Sequence, residues 1–198
     1  MRSAKYFSKA DAKSGFFQIP VEIKSKPKLA FSDGKRKFTW NFMPMGISNA
    51  PMVFSKIMQQ ILGDLEFVTL YIDDVCIFSE SIEEHLEHLK IVMERLEKAN
   101  IKLNPDKCVW FTQRVELLGH VITPGGIAPN PKKCDTIEKR LRPKNIKELR
   151  GFLGMCNYYR CYVKNFADIA LPLYALLKEG VYYEWTQECD EAFNELKK

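Results

Sequence analysis

The 198-residue sequence has no apolar run approaching the roughly 20 residues of a bilayer span, which argues against a transmembrane helix. Its opening residues, MRSAKYFSKADAKSG, lack the apolar core of a secretory signal. No two cysteines form a CxxC pair: Cys76, Cys108, Cys134, Cys156, Cys161 and Cys189 are scattered, which disfavours a zinc ribbon. A chain of 23.0 kDa also needs no disulfide framework. Internal repeats and low-complexity tracts are missing too. What is present is ordinary for a globular protein: 46% hydrophobic, 28% charged, and 30 basic against 25 acidic residues, for a net +5. One large domain or two small ones with a buried core fit this length. The expectation is a reduced, intracellular protein of cytoplasm or nucleus, neither secreted nor membrane-bound.

Short β-prone runs alternate with amphipathic stretches, an α+β pattern with helices backing an antiparallel sheet. Tyr6 to Ile23 reads as a strand followed by a turn or short helix. Leu29-Ala30-Phe31 and Phe38-Thr39-Trp40-Asn41-Phe42 flank the polar SDGKRK and predict a hairpin. MPMGISNAP is a loop with a helix start, where Ser48 or Asn49 can cap and Pro51 fits the first turn. Val53, Phe54, Ile57, Met58, Ile61 and Leu62 then recur at helical spacing. FVTLYIDDVCIF, residues 67–78, predicts a hairpin with Asp73-Asp74 at its tip. Ser81 and Glu84 form a capping box before a long helix that ends near Asn100, and residues 101–123 return to strands. Composition shifts after Pro124-Gly125-Gly126, and a boundary is expected near 124–128. From Lys132 to Lys164, ten basic residues less three acidic ones leave +7, more than the whole chain carries. Ile137, Leu141, Ile146, Leu149, Leu153, Tyr158, Leu173, Leu176 and Leu177 outline a small helical subdomain there.

Two adjacent aspartates in an apolar hairpin are the most unusual feature. Burying two carboxylates costs several kcal/mol each unless they are paired or bind a cation. Solvated turn aspartates are the ordinary alternative. Here, however, the flanks are Tyr71-Ile72 and Val75-Cys76-Ile77-Phe78, with no glycine or asparagine to make the turn. Asp11 in KADAKSGFF is a further carboxylate at a strand end, although alone it reads as a surface residue. Mg²⁺ takes hard oxygen ligands and keeps waters and substrate phosphates, so few carboxylates suffice for phosphoryl transfer. His85 and His88 lie three apart in EEHLEHL, but Glu83, Glu84 and Glu87 around them predict a solvated helix face and no metal pair.

FSKADAKSGFFQIP, KLAFSDGKRKFTWNFMPMGISNAPMVFSKIM, YIDD and VELLGHVITPGGI follow one another in the order and approximate spacing of reverse transcriptases. The chain most resembles the polymerase of gypsy-type LTR retrotransposons, and NIKELRGFLGMCNYYRCYVKNFADIALPLYALLKEG resembles that family's thumb segment. The resemblance implies a palm with partial fingers over 1–124, including a fingers-like hairpin over about 20–50. A helical thumb would follow over 125–180, then the start of a connection leading toward RNase H over 181–198. It implies RNA-directed DNA polymerase activity on an RNA or DNA template with a primer and dNTPs. Mg²⁺ would be the cofactor, with Mn²⁺ as its substitute. The segment would sit in a longer Pol polyprotein with RNase H and integrase.

Carried over residue by residue, Asp11, Asp73 and Asp74 match the catalytic metal-binding aspartates, with Ala12 beside them as a further metal contact. Ser14 and Gly15 match the stretch whose backbone amides meet the triphosphate. Phe16 matches the aromatic gate against a ribose 2′-hydroxyl, which disfavours an RNA-templated RNA polymerase; core packing is its plain alternative. Met45 would lie at the nucleotide, where the family usually has phenylalanine or glutamine. Pro44, Gly46, Pro51 and Tyr71, together with Leu118, Gly119 and His120 of the primer grip, would contact template or primer. Basic residues of the thumb would meet phosphates, a solvated lysine-rich face being the alternative. Only ten residues precede Asp11, where the family carries most of its fingers. A second reading is therefore a retroelement remnant without catalysis, at most binding nucleic acid.

Overall fold

In the computed structural model, which describes residues 3–198, the chain divides into two units. The first comprises residues up to Leu117 with Ile122–Gly126, and the second comprises Leu118–Val121 with Ile127–Lys198. Among the described residues no helix is long and apolar enough to cross a membrane.

The first unit is built on strands β1 (Tyr6–Asp11), β4 (Val68–Tyr71), β5 (Asp74–Ser79) and β6 (Val109–Thr112). They form one sheet in the order β4-β5-β1-β6, with every pair antiparallel. Alternation along the strands sends Ala10, Val75 and Ile77 to one face and Phe7 and Cys76 to the other. Helices α1 (Ala50–Leu62) and α2 (Ile82–Lys98) cover the first face. From α1 the buried stripe is Ala50, Phe54, Met58 and Leu62, four residues apart each time; α2 contributes Val92 and Leu96. The opposite face is closed by Ala4, Val115, Leu117 and Ile122.

Helix starts follow the sequence only in part. The Ser81 hydroxyl accepts the Glu84 N–H at 3.2 Å, while the Glu84 carboxylate accepts from the Glu80 N–H at 2.7 Å, one residue outside the reciprocal pairing of a capping box. Asn49 occupies the cap position of α1 but its side chain makes no capping bond. The predicted hairpin exists with strands of two residues each, β2 (Phe31–Ser32) and β3 (Lys37–Phe38). It stops short because residues 41–43 pair elsewhere: the Val21 N–H donates to the Asn41 carbonyl and the Met43 N–H to the Ile19 carbonyl.

The expectation for the EEHLEHL histidines is overturned at His85. His85 is fully buried, not on a solvated face. Its ring nitrogens bond Ser8 Oγ of β1 and Ser79 Oγ of β5, each at 2.7 Å, and Ser79 Oγ reaches His88 Nδ1 at 2.8 Å. The Phe111 N–H of β6 donates to the same Ser8 oxygen at 3.0 Å. Small polar side chains on two strands made a polar niche that helix neighbours alone did not reveal.

The chain leaves the first unit through β7 (Val115–Leu117), β8 (His120–Thr123) and β9 (Gly126–Pro129), a sheet in that order. The second unit then carries α3 (Pro131–Glu138), α4 (Ile146–Tyr158), α5 (Phe166–Ala175) and α6 (Gln187–Glu195). Asn130, Asn145 and Thr186 each cap the following helix with a side-chain oxygen. Their shared core holds Leu149, Phe152, Leu153, Leu173 and, from α6, Phe193. Of the residues that outline this subdomain in the sequence, Leu141, in the α3–α4 connection, and Tyr158 are exposed.

Candidate active site

At one end of the central sheet, Asp11 closes β1 and Asp74 opens β5, and the two are direct cross-strand partners. Their side chains share the face opposite the helices. Tyr71 pairs Asp74 from β4, so the two-residue turn is Ile72-Asp73, one residue earlier than the expected Asp73-Asp74 tip, because Asp74 is taken into the β5 ladder. Ile72 takes φ 50°, a left-handed conformation unusual for a β-branched residue. The sequence therefore brings Asp11, Asp73 and Asp74 to one sheet end, as two strand termini and the turn that joins them to β4.

Like charges placed directly opposite destabilise a sheet pair. Two lysines offset this: Lys9 Nζ lies 2.9 Å from Asp74 Oδ1, and Lys107 Nζ lies 3.9 Å from Asp11 Oδ1. Asp73 has no such partner, and its Oδ1 is buried without a hydrogen bond among the described residues. Burial first, then the charges of Asp11 and Asp74, push its carboxyl above the usual carboxylate range, with Lys107 opposing. Among the described residues no three His, Cys, Asp or Glu side chains are gathered closely enough to form a ready-made metal cage. The donor set still fits a hard divalent cation: an orphaned carboxylate oxygen beside two carboxylates whose charge is now met by lysines. Mg²⁺ needs few protein ligands when waters and phosphates complete its shell.

The segment after β1 is held tightly. Lys13 N–H donates to the Lys102 carbonyl and Asn104 N–H to the Asp11 carbonyl, so Ala12 bridges Leu103. Gln18 fastens the same loop, donating to the Lys13 and Lys102 carbonyls at 2.6 and 2.9 Å and accepting from Lys102 N–H at 2.7 Å. Ser14 is left-handed at φ 50° and leads into a 3₁₀ turn over Gly15–Gln18. A Cβ on Gly15 would meet the Phe54 ring at 2.8 Å, so any larger residue would have to displace that buried ring. Phe16 packs edge-on against Phe54, centroids 5.8 Å apart, with part of its surface open. Pro44 is buried, Met45 and Tyr71 are exposed, Gly46 has φ 88°, and Pro51 lies in the first turn of α1. Lys9, Gln18 and Lys107 are the neighbours that sequence reasoning missed. Lys9 was findable, since two residues before Asp11 on a strand is the same face.

Leu118, Gly119 and His120 lie in the second unit up to Val121. Leu118 and Gly119 are consecutive left-handed residues, at φ 50° and 72°. Three tyrosines near the end of α4 tie them down. Tyr158 donates to the Leu118 carbonyl, Tyr159 to the Gly119 carbonyl at 2.9 Å, and the Tyr162 hydroxyl meets His120 Nδ1 at 3.0 Å. His120 stacks on Tyr158 at 5.5 Å, which gives the ring a structural role of its own.

A family profile described as "Reverse transcriptase (RNA-dependent DNA polymerase)" matches residues 1–122. The chain belongs to the reverse transcriptase family. It is 40% identical over 197 residues to the Retrovirus-related Pol polyprotein from transposon 297 of Drosophila melanogaster, covering 98% of this chain and 18% of that protein. It is 35% identical over 199 residues to the Transposon Tf2-3 polyprotein of Schizosaccharomyces pombe, covering 100% of the chain and 15% of the relative. It thus spans less than a fifth of these relatives' length. Among solved structures, the foamy viral protease-reverse transcriptase dRH in complex with double-stranded DNA superposes with a TM-score of 0.91 and 30% identity, over 100% of this chain and 35% of the other. The same kind of protein with an RNA/DNA hybrid gives 0.85 and 30%, over 98% and 27%. The fold is the α+β fold of reverse transcriptases, and the likeness to gypsy-type element polymerases holds. This family is in general divalent-metal dependent.

Proposed function

We propose that the chain carries the palm and thumb of an RNA-directed DNA polymerase from a retrotransposon Pol polyprotein. Residues 1–124 would be palm with a fingers-like hairpin at about 20–50, residues 125–180 thumb, and 181–198 the lead into a connection toward RNase H. The observation that carries this reading is the Asp11–Asp74 cross-strand pair with the unpartnered, buried oxygen of Asp73 beside it. Asp11, Asp73 and Asp74, with the Ala12 carbonyl, would hold Mg²⁺ or Mn²⁺. When bound, such cations supply charge neutralisation for attack of a primer 3′-hydroxyl on the α-phosphate of a dNTP. The chain's own part is positioning. The register of β1 on β5 sets the carboxylate spacing, and the strained Ile72 turn aims Asp73. Gln18 fixes the loop whose Ser14 and Gly15 amides would face the triphosphate, and Phe16 would bar a 2′-hydroxyl. Met45, Pro44, Gly46, Pro51, Tyr71 and the Leu118–Gly119–His120 turn would contact nucleotide, template or primer. The basic residues of the second unit would bind phosphates, with salt-sensitive affinity. The work of such a polymerase places the chain inside the cell.

Primer extension on an RNA template with Mg²⁺ and dNTPs tests this. Incorporation by the wild-type chain and its loss in Asp73→Asn/Asp74→Asn is the expected result; activity persisting in that variant rejects the assignment. Duplex binding with no extension by the wild type would favour the second reading, a nucleic-acid-binding remnant. The Lys9 and Lys107 contacts on two of the carboxylates motivate that reading.

A further inference from the structure

The hairpin around SDGKRK is unusual in having aromatic rings and cations with almost no burial. Phe31, Phe38, Trp40 and Phe17 form a contiguous cluster: Phe31 lies 5.4 Å from Phe38 and 5.5 Å from Trp40, and Trp40 lies 6.1 Å from Phe17. Phe31 is 48% exposed and Phe38 37%, and Ile23 nearby is 81% exposed. The Arg36 guanidinium lies over the Phe38 ring at 5.4 Å. Residues 22–38 hold six basic side chains against Glu22 and Asp33. Asp33 is consumed within the turn, where its carboxylate accepts the Lys35 and Arg36 N–H groups at 2.9 and 2.6 Å. Ser32 Oγ accepts the Gly34 N–H and donates to the Arg36 carbonyl, so the tip is fixed by its own hydrogen bonds. Lys24, Lys28, Lys35 and Lys37 make no ion pair among the described residues.

An aromatic patch could suit a protein partner, but lysine is depleted at such interfaces and here lysines rim the rings. Exposed rings bordered by cations instead match unpaired nucleotides, whose bases offer free π faces and whose backbone brings negative charge. A duplex hides those faces in its own stack. We propose that this hairpin is a stacking platform for single-stranded nucleic acid, with Phe31, Phe38 and Trp40 receiving bases and Lys35, Arg36 and Lys37 the phosphates. The inference deepens the polymerase reading, since template not yet copied is unpaired.

The test measures fluorescence anisotropy of the full chain with a blunt RNA/DNA duplex and with the same duplex carrying an unpaired template extension. The wild type is expected to bind the extended duplex about tenfold more tightly, an effect of the size of one stacked base. Trp40 fluorescence should be quenched on binding, a signal absent from Trp40→Phe. Phe31→Ser/Trp40→Ser should abolish the advantage and leave blunt-duplex affinity unchanged. Lys35→Gln/Lys37→Gln should lower the salt slope for a single-stranded oligonucleotide by about 1.4, at roughly 0.7 per phosphate contact. Equal affinity for the two duplexes without Trp40 quenching overturns the proposal while leaving duplex binding intact. Wild-type self-association that Phe31→Ser/Trp40→Ser relieves also overturns it, assigning the patch to a second copy. Failure to bind either duplex overturns this inference and the nucleic-acid part of the polymerase reading together.

Discussion

The two faces of the central sheet each hold a polar cluster, and they differ in burial and in how completely the cluster is satisfied. On the helix side, Ser8, His85, Ser79 and His88 bond one another in a chain that also takes up the Phe111 N–H. On the other side, Asp11 and Asp74 lean on lysines and Asp73 leaves an oxygen without a partner. A buried polar group that finds no partner costs about 1–3 kcal/mol, and more when charged. The histidine side thus reads as architecture, holding β1, β5 and α2 together, and the aspartate side as a place built for something charged. The serine–histidine cluster is buried and satisfied, whereas the aspartates are half-buried and one of their oxygens is unmet.

The largest expected effect breaks the aspartate side. Asp73→Asn/Asp74→Asn should lower primer extension roughly 10³-fold, the scale of several kcal/mol of lost charge stabilisation, with thermal stability in chelator unchanged or higher. Damage to the histidine side should do the reverse. His85→Leu takes one of two partners from each of the Ser8 and Ser79 hydroxyls, leaving them the Phe111 N–H and His88, and should lower unfolding free energy by about 1–3 kcal/mol in urea titrations. Mg²⁺ sharpens the contrast further. At a hundredfold excess over Kd it should stabilise the wild type by about 2.7 kcal/mol, an increment kept in His85→Leu and missing from the double asparagine variant.

A pH titration of stability isolates the histidine. Burial foremost, then the His88 ring, holds the His85 imidazole below the ordinary histidine pKa of about 6.5, with Glu84 opposing. The unfolded chain therefore binds the proton more readily. Stability should be fully present above pH 6.5 and fall as pH drops through and below that value, with a shallower fall in His85→Leu. The smallest effect belongs to Lys9→Met. It should cost about 1 kcal/mol of stability without metal, the order of one partly exposed ion pair, and it should tighten Mg²⁺ binding a few-fold by calorimetry.

Much of this arrangement was legible in the sequence. The helical spacing of Phe54, Met58 and Leu62 gave α1 its buried face, and the apolar flanks of Asp73-Asp74 gave the β4–β5 hairpin. Partnership across the chain was not legible. Glu83, Glu84 and Glu87 describe the surface of α2 well, yet His85 points between them into a niche lined by serines 77 and six residues away. Leu141 looked apolar enough for a core but falls in the connection between two helices. The β-prone run from Phe38 to Phe42 lost its last residues to Ile19 and Val21, whose pairing no local pattern announces.

Ile72 carries a consequence for anyone who would improve this protein. A β-branched side chain at φ 50° costs about 1–2 kcal/mol against glycine. A library selected only for heat resistance should therefore drift to Ile72→Gly, and the winners would melt later with a looser Asp73. Selection for DNA synthesis should hold isoleucine in place. Position 72 would then report which pressure a population had lived under, before any enzyme assay was run.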